Sequence, residues 1–114
     1  MSNFELGIWG EKEAAKFLKK RKYKIIEQNY RCKLGEVDII AKQGAYLVFV
    51  EVKTRASNRY GLPMEAVDEQ KQRKLMMLAL YYQKCKGLLD MPIRFDVVQI
   101  LGEEVTLIGG AFFA

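Results

Sequence analysis

Three charged residues stand where folding alone would not place them: Asp38 within GEVDIIA, and Glu51 and Lys53 near the end of AYLVFVEVKT. Both stretches read as strands, and the polar turn Lys42-Gln43-Gly44 between them makes a hairpin, with glycine supplying the backbone freedom of a tight connection. Strand side chains alternate, so Glu51 and Lys53 project to one face while Val50 and Val52 project to the other. The run Leu47-Val48-Phe49-Val50 is apolar on both faces, as in a strand covered from both sides, so the charged pair emerges near the end of a buried strand. Asp38 is bracketed by Val37, Ile39 and Ile40. Taking a lone carboxylate out of water costs several kcal/mol unless something pairs with it, and two acids side by side repel each other. A divalent cation resolves that conflict, and Mg²⁺ characteristically takes one or two carboxylates together with waters and phosphate oxygens.

The elements that must position these groups can be read in order. Residues 2–21 form a helix with Ser2 or Asn3 as N-cap. At 100° per residue, Phe4, Ile8, Ala15 and Leu18 fall in one arc, with Ala14 at its edge and Glu11 inside it. An acid in a core-facing stripe has two readings, a partner for a buried Lys or Arg such as Lys53, or a metal or water ligand. Lys19-Lys20-Arg21-Lys22 suits the negative end of the helix dipole, so a solvated cap is its default explanation and a phosphate contact the alternative. Residues 23–30 suggest a first strand leading into the hairpin. After Lys53 the chain turns polar from Thr54 to Gly61, where Arg55 and Arg59 with Tyr60 could receive phosphates and a base, or be a solvated loop.

Pro63 begins a new element, and Asp68 is a plausible N-cap for a second helix over residues 69–84. Its apolar arc is Val67, Leu75, Leu78, Tyr82 and Cys85, with Lys71 in the middle and Lys74 on the edge. A lysine aimed at a sheet can snorkel, balance the acids or hold a substrate phosphate. Residues 93–101 and 105–108 read as a second hairpin, in which Arg94 and Asp96 share a face and pair with each other by default. The apolar tail GGAFFA should pack on the body or on another subunit.

At 114 residues the chain is one domain, residues 1–114, without repeats or linkers, and large enough for a real core. Lys and Arg outnumber Asp and Glu by 19 to 14, a net charge of +5 that favours a polyanionic partner without requiring one. The start carries no signal pattern and no apolar run reaches membrane-spanning length, so a cytoplasmic location is expected. Cys32 and Cys85 lack metal-knuckle spacing and read as plain thiols. The complete absence of His excludes a His general base, a Ser-His-Asp triad and a His-ligated zinc.

The order helix, strand, hairpin, helix, strand pair gives an α/β fold, a central mixed β-sheet flanked by helices in the order αβββαββ. Asp38, twelve intervening residues and then Glu51-Val52-Lys53, preceded by Glu11 in the first helix, resembles the PD-(D/E)XK nuclease core, although Val37 stands where the superfamily's name has proline. WGEKEAAKFLKKRKYKIIEQNYRCKLGEVDII, LVFVEVKTR, GLPMEAVDEQKQRKL and RFDVV resemble the YraN family of small bacterial proteins, similar to archaeal Holliday junction resolvases, over nearly the whole chain.

That resemblance implies a restriction-endonuclease-like core and a Mg²⁺- or Mn²⁺-dependent endonuclease acting on DNA, with branched or structured DNA among the candidate substrates. It implies that Asp38, Glu51 and the Val52 carbonyl ligate the metal, that Glu11 completes the cluster through water or a second metal, and that Lys53 orients or deprotonates the attacking water. Arg55, Arg59, Lys71, Lys33 and Lys74 are candidate nucleic-acid contacts, and a homodimer is implied because a four-way junction is two-fold symmetric. Two alternatives stand beside it: a nucleic-acid-binding module with little turnover of its own, and a buried ion network without function. Three acids against one nearby lysine argue against the last.

Overall fold

The computed structural model describes residues 2–55 and 67–112. Helix α1 (Asn3–Lys20) starts at a capping box: the Ser2 hydroxyl accepts from the Glu5 N–H at 3.1 Å while the Ser2 N–H donates to the Glu5 carboxylate at 3.2 Å. Strands β1 (Lys24–Cys32), β2 (Gly35–Gln43) and β3 (Tyr46–Arg55) follow as an antiparallel meander. Helix α2 (Glu69–Lys86), capped by Asp68 and closed by left-handed Gly87, crosses over to β4 (Ile93–Leu101), which lies parallel to β3. Strand β5 (Glu104–Phe112) returns antiparallel, so the sheet order is β1-β2-β3-β4-β5. This is the mixed αβββαββ architecture expected from the sequence.

The two helices cover opposite faces of the sheet, and the alternation of β3 distributes its side chains between them. Leu47 and Phe49 join Leu75, Leu78 and Tyr82 of α2, whereas Val48 and Val50 join Ala14, Ala15 and Leu18 of α1. Continuing that alternation puts Glu51 and Lys53 on the α2 side.

Helix α1 buries the C-terminal part of the expected stripe, Ala14, Ala15 and Leu18, but not its N-terminal part. Phe4 and Ile8 are exposed, at 77% and 41%, and the sheet is met by Gly10, Ala14, Ala15 and Leu18, with Trp9 and Phe17 packed beside them. The reason is steric: small side chains let the helix backbone approach the sheet, and at Gly10 an added Cβ would run into the Thr54 side chain. A stripe drawn from large apolar residues misses this contact.

Other boundaries also moved. Thr54 and Arg55 pair with Ile100 and Leu101 and so belong to β3, not to a loop. Strand β1 extends to Cys32 and β5 to Phe112, whose ring stacks on Phe95 with centroids 4.5 Å apart. Cys85, expected in the apolar arc of α2, is exposed, and Gln83 is buried there, its amide donating to the carbonyls of Leu88 and Met91. Arg59, Tyr60 and the element expected at Pro63 lie outside the described residues. Among the described residues no helix is long and apolar enough to cross a membrane.

Gly10 gives a direct check on this packing. Gly10→Ala should lower stability by about 1–3 kcal/mol, the usual cost of overpacking, although alanine favours an isolated helix. Urea unfolding followed by circular dichroism measures it, and an unchanged or raised midpoint would show that α1 does not sit this close to β3.

Candidate functional site

The site forms where β2 and β3 part. Their ladder runs from Gln43–Tyr46 to Ile39–Val50 and stops, so Asp38 and Glu51, which the same register would pair next, are not joined by it. Instead the Val52 N–H donates to Asp38 Oδ2 at 2.7 Å, a side-chain carboxylate taking the place of a backbone acceptor. The face alternation of β2 also breaks here: Val37 and Ile40 both pack on the α2 side, with Ile39 and Ala41 on the α1 side. Asp38 thereby reaches towards both helices.

On the α2 side a cleft of about 500 Å³ is lined by Asp38, Glu51, Val52, Lys53, Lys71 and Lys74, among others. Glu51 is 5% exposed, and Lys71, from the first turn of α2, places its Nζ 2.8 Å from Glu51 Oε2. Lys53 lies close enough to Lys71 for the two ammonium groups to act on each other. On the α1 side, Glu11 meets Asp38 rather than the cleft. With the Asn29 amide in the orientation that satisfies its surroundings, its nitrogen donates to both Glu11 oxygens at 3.1 Å.

The electrostatics follow from this crowding. Burial raises the pKa of Asp38, opposed by the Val52 N–H and by Lys71 and Lys53. Burial and then the Asp38 charge raise Glu51, with Lys71 pulling the other way. Burial and the neighbouring Asp38 raise Glu11, while Asn29 relieves it. Burial and then the Lys71 charge lower Lys53. For Lys71 burial acts downward, but its bond to Glu51 prevails and the pKa rises.

Of the residues singled out from the sequence, the structure brings Asp38, Glu51, Val52, Lys53, Lys71 and Lys74 together in the cleft, with Glu11 outside it beside Asp38. It does not bring Lys33 or Arg55 to the cleft: Lys33 lies over the Tyr81 ring, 5.6 Å from its centroid, and Arg55 ends β3 beyond Lys53. Arg59 lies outside the described residues. Among the described residues no three His, Cys, Asp or Glu form a group that could hold a metal ion. The two-carboxylate pair of Asp38 and Glu51 is nevertheless a sufficient hard-oxygen donor set for Mg²⁺, which takes its remaining ligands from water and phosphate. Asn29 was missed; the available signal was an Asn inside a strand, where that residue type is disfavoured.

Asp96 shows how this fold treats a buried acid that is fully paired. It is 1% exposed on β4, yet Arg94 donates to both of its oxygens at 2.9 Å, the Tyr23 hydroxyl at 2.6 Å and the Gly110 N–H at 3.0 Å. The mutual pairing expected for Arg94 and Asp96 is present.

Residues 10–100 match the family model described as Uncharacterised protein family UPF0102. A UPF0102 protein of Alkaliphilus metalliredigens is 51% identical over 100 residues, covering 87% of this chain and 88% of its own. One from Caldicellulosiruptor saccharolyticus is also 51% identical over 100 residues, covering 88% and 85%. One from Lachnoclostridium phytofermentans is 49% identical over 109 residues, covering 95% and 92%.

A cluster of crowded acids should cost stability. Asp38→Asn keeps an oxygen for the Val52 N–H and removes repulsion with Glu11 and Glu51, so without divalent cations the variant should be more stable by ~1 kcal/mol. The pH dependence has a definite sign. Carboxyls whose pKa is raised on folding bind more protons in the folded state, so their contribution strengthens as pH falls from neutral through the folded pKa towards the unfolded value. The advantage of Asp38→Asn should therefore shrink as pH falls through that window, as measured by denaturant titration at several pH values.

Proposed function

The chain belongs to the UPF0102 family, and we propose that it is a metal-dependent endonuclease of the PD-(D/E)XK type that hydrolyses DNA phosphodiester bonds, branched or structured DNA being candidate substrates. The observation that carries the reading is the pair of carboxylates, buried Glu51 and half-buried Asp38, at the parting of two strands, with Lys53 two residues along from Glu51 on the same face. Asp38, Glu51 and the Val52 carbonyl would hold Mg²⁺ or Mn²⁺. When bound, such an ion polarises a phosphoryl oxygen and lowers the pKa of a coordinated water.

The chain's own groups supply the rest. The Val52 N–H fixes Asp38 in one orientation, so no reorganisation is needed when charge develops nearby. Burial and Lys71 lower the pKa of Lys53, which makes its neutral form more accessible and suits it to orient or deprotonate a water. In its protonated form the same ammonium meets the extra negative charge of a pentacovalent phosphate. Lys71, whose side chain is 39% exposed, can release Glu51 to a cation and turn to a phosphate oxygen. Lys74 extends the basic rim.

A second reading is favoured by one specific contact. Because Lys71 already neutralises Glu51 at 2.8 Å, the cleft is balanced without a metal, as suits a nucleic-acid-binding module with little turnover.

Linear, flapped and four-way DNA incubated with Mg²⁺ or Mn²⁺ separates the two. The wild type should cut at least one of them, Lys53→Ala should lose roughly 10²–10³-fold in rate, and Asp38→Asn should lose cleavage while still binding DNA. Equal DNA binding by all three without cleavage would make the module the better reading. No binding even at low salt, where phosphate contacts are strongest, would end the nucleic-acid reading. Lys71→Met tests the resident cation separately: Mn²⁺ should bind more tightly by calorimetry, while DNA binding weakens and becomes less sensitive to salt.

A further inference from the structure

Asn29 is the one non-glycine residue inside a described strand with a left-handed backbone, at φ 52°. A side chain in that region is strained, and Asn tolerates it better than most. Core packing does not compensate the strain, because Asn29 is exposed. The register pairs Gln28 with Ile39 and Tyr30 with Val37, which sets Asn29 beside Asp38 on the neighbouring strand. With the amide oriented so that it donates to the acceptors around it, what the conformation delivers is the amide nitrogen, 3.1 Å from each oxygen of Glu11.

We propose that Asn29 is a positioning residue that holds the Glu11 carboxylate against Asp38, so that Glu11 acts on the outer coordination sphere of a divalent cation bound at Asp38 and Glu51. The inference rests on the metal-dependent reading above and extends it across the sheet. Glu11 comes from the α1 face, whereas the cleft opens on the α2 face, and Asp38 at the break in β2 is the link between them. Left to itself, Glu11 would turn from a second negative charge into solvent. A neutral donor that engages both oxygens keeps it in place without cancelling its charge, which an Arg or Lys would do. The fixed carboxylate can then accept a hydrogen bond from a water on the cation while Asp38 stays a direct ligand. Outer-sphere partners of this kind typically alter metal affinity by ten- to a hundred-fold.

The test is a double-mutant cycle in the full chain with Asn29→Gly, which keeps φ positive without strain and deletes the amide, and Glu11→Gln. Mn²⁺ affinity is read by electron paramagnetic resonance, and the unfolding midpoint by circular dichroism. Asn29→Gly should weaken Mn²⁺ binding by about tenfold with the fold retained, and should weaken it no further once Glu11→Gln is present. Equal Mn²⁺ affinity in wild type and Asn29→Gly would overturn the role of Asn29 and leave the metal site standing. Additive losses would also overturn it, because Asn29 would then not act through Glu11. A wild type that binds no Mn²⁺ at millimolar concentration would remove the metal reading, and this inference with it.

Discussion

The hydrogen bond from the Val52 N–H to Asp38 is the constraint around which the site is built. Two adjacent antiparallel strands normally satisfy each other's amides along their length. Here β2 and β3 stop pairing after Ile39 and Val50, and the next amide is met by a carboxylate at 2.7 Å. That contact ties the position of a negative charge to the backbone of the strand carrying Glu51 and Lys53. The apolar run 47–50 anchors that strand on both faces, so the carboxylate inherits the rigidity of the core.

Around that fixed charge, other elements each bring one group. Helix α2 brings Lys71 to Glu51, and its place in sequence after Asp68 means that the helix cap also sets the reach of the lysine. Helix α1 brings Glu11 to Asp38 from the opposite face, and it can do so because Gly10, Ala14 and Ala15 let its backbone sit close to the sheet. The result is Asp38 and Glu51 facing Lys53 and Lys71 in a partly buried cleft, with Glu11 next to Asp38 from the other side of the sheet. Burial pushes every one of these carboxylates towards its neutral form and Lys53 towards its neutral form as well. A cation entering such a site would relieve the repulsion between Asp38 and Glu51 while displacing Lys71 from Glu51.

Much of this was legible in the sequence because it depended on local patterns. Alternation in VDIIA and LVFVEV fixed which face Glu51 and Lys53 share, and a charge among Val37, Ile39 and Ile40 marked Asp38 as unusual. The 3.6-residue period correctly turned Lys71 inward. What escaped depended on close approach and backbone geometry, which side-chain type does not encode. The period of α1 points Ala14, Ala15 and Leu18 at the sheet correctly, but it also includes Phe4 and Ile8, which are exposed, and omits Gly10. Asn29 gave only a weak signal because its importance lies in a positive φ inside a strand. Arg55 was placed in a loop because polar residues follow it, although its backbone continues the parallel ladder with β4. Lys33, a candidate nucleic-acid contact, follows directly on β1 and lies over the Tyr81 ring, away from the cleft.

The contrast with Asp96 weighs most against a purely structural role for Asp38 and Glu51. Both situations occur in the same sheet, within one parallel register of each other, since Val50 is aligned with Asp96 and Glu51 with Val97. At Asp96 the fold answers a buried carboxylate with a forked guanidinium, a hydroxyl and a backbone amide, enough to fill its acceptor sites with permanent donors. At Asp38 the answer is one backbone amide, with Glu11 and Glu51 as neighbours, and the lysines are directed to Glu51 or held at the rim of an open cleft. Asp38 is half-buried, and beyond that one amide it is offset only by the charges of Lys71 and Lys53. That leaves the Asp38 carboxylate with acceptor capacity turned towards a cleft rimmed with lysines, whereas Asp96 has none to spare.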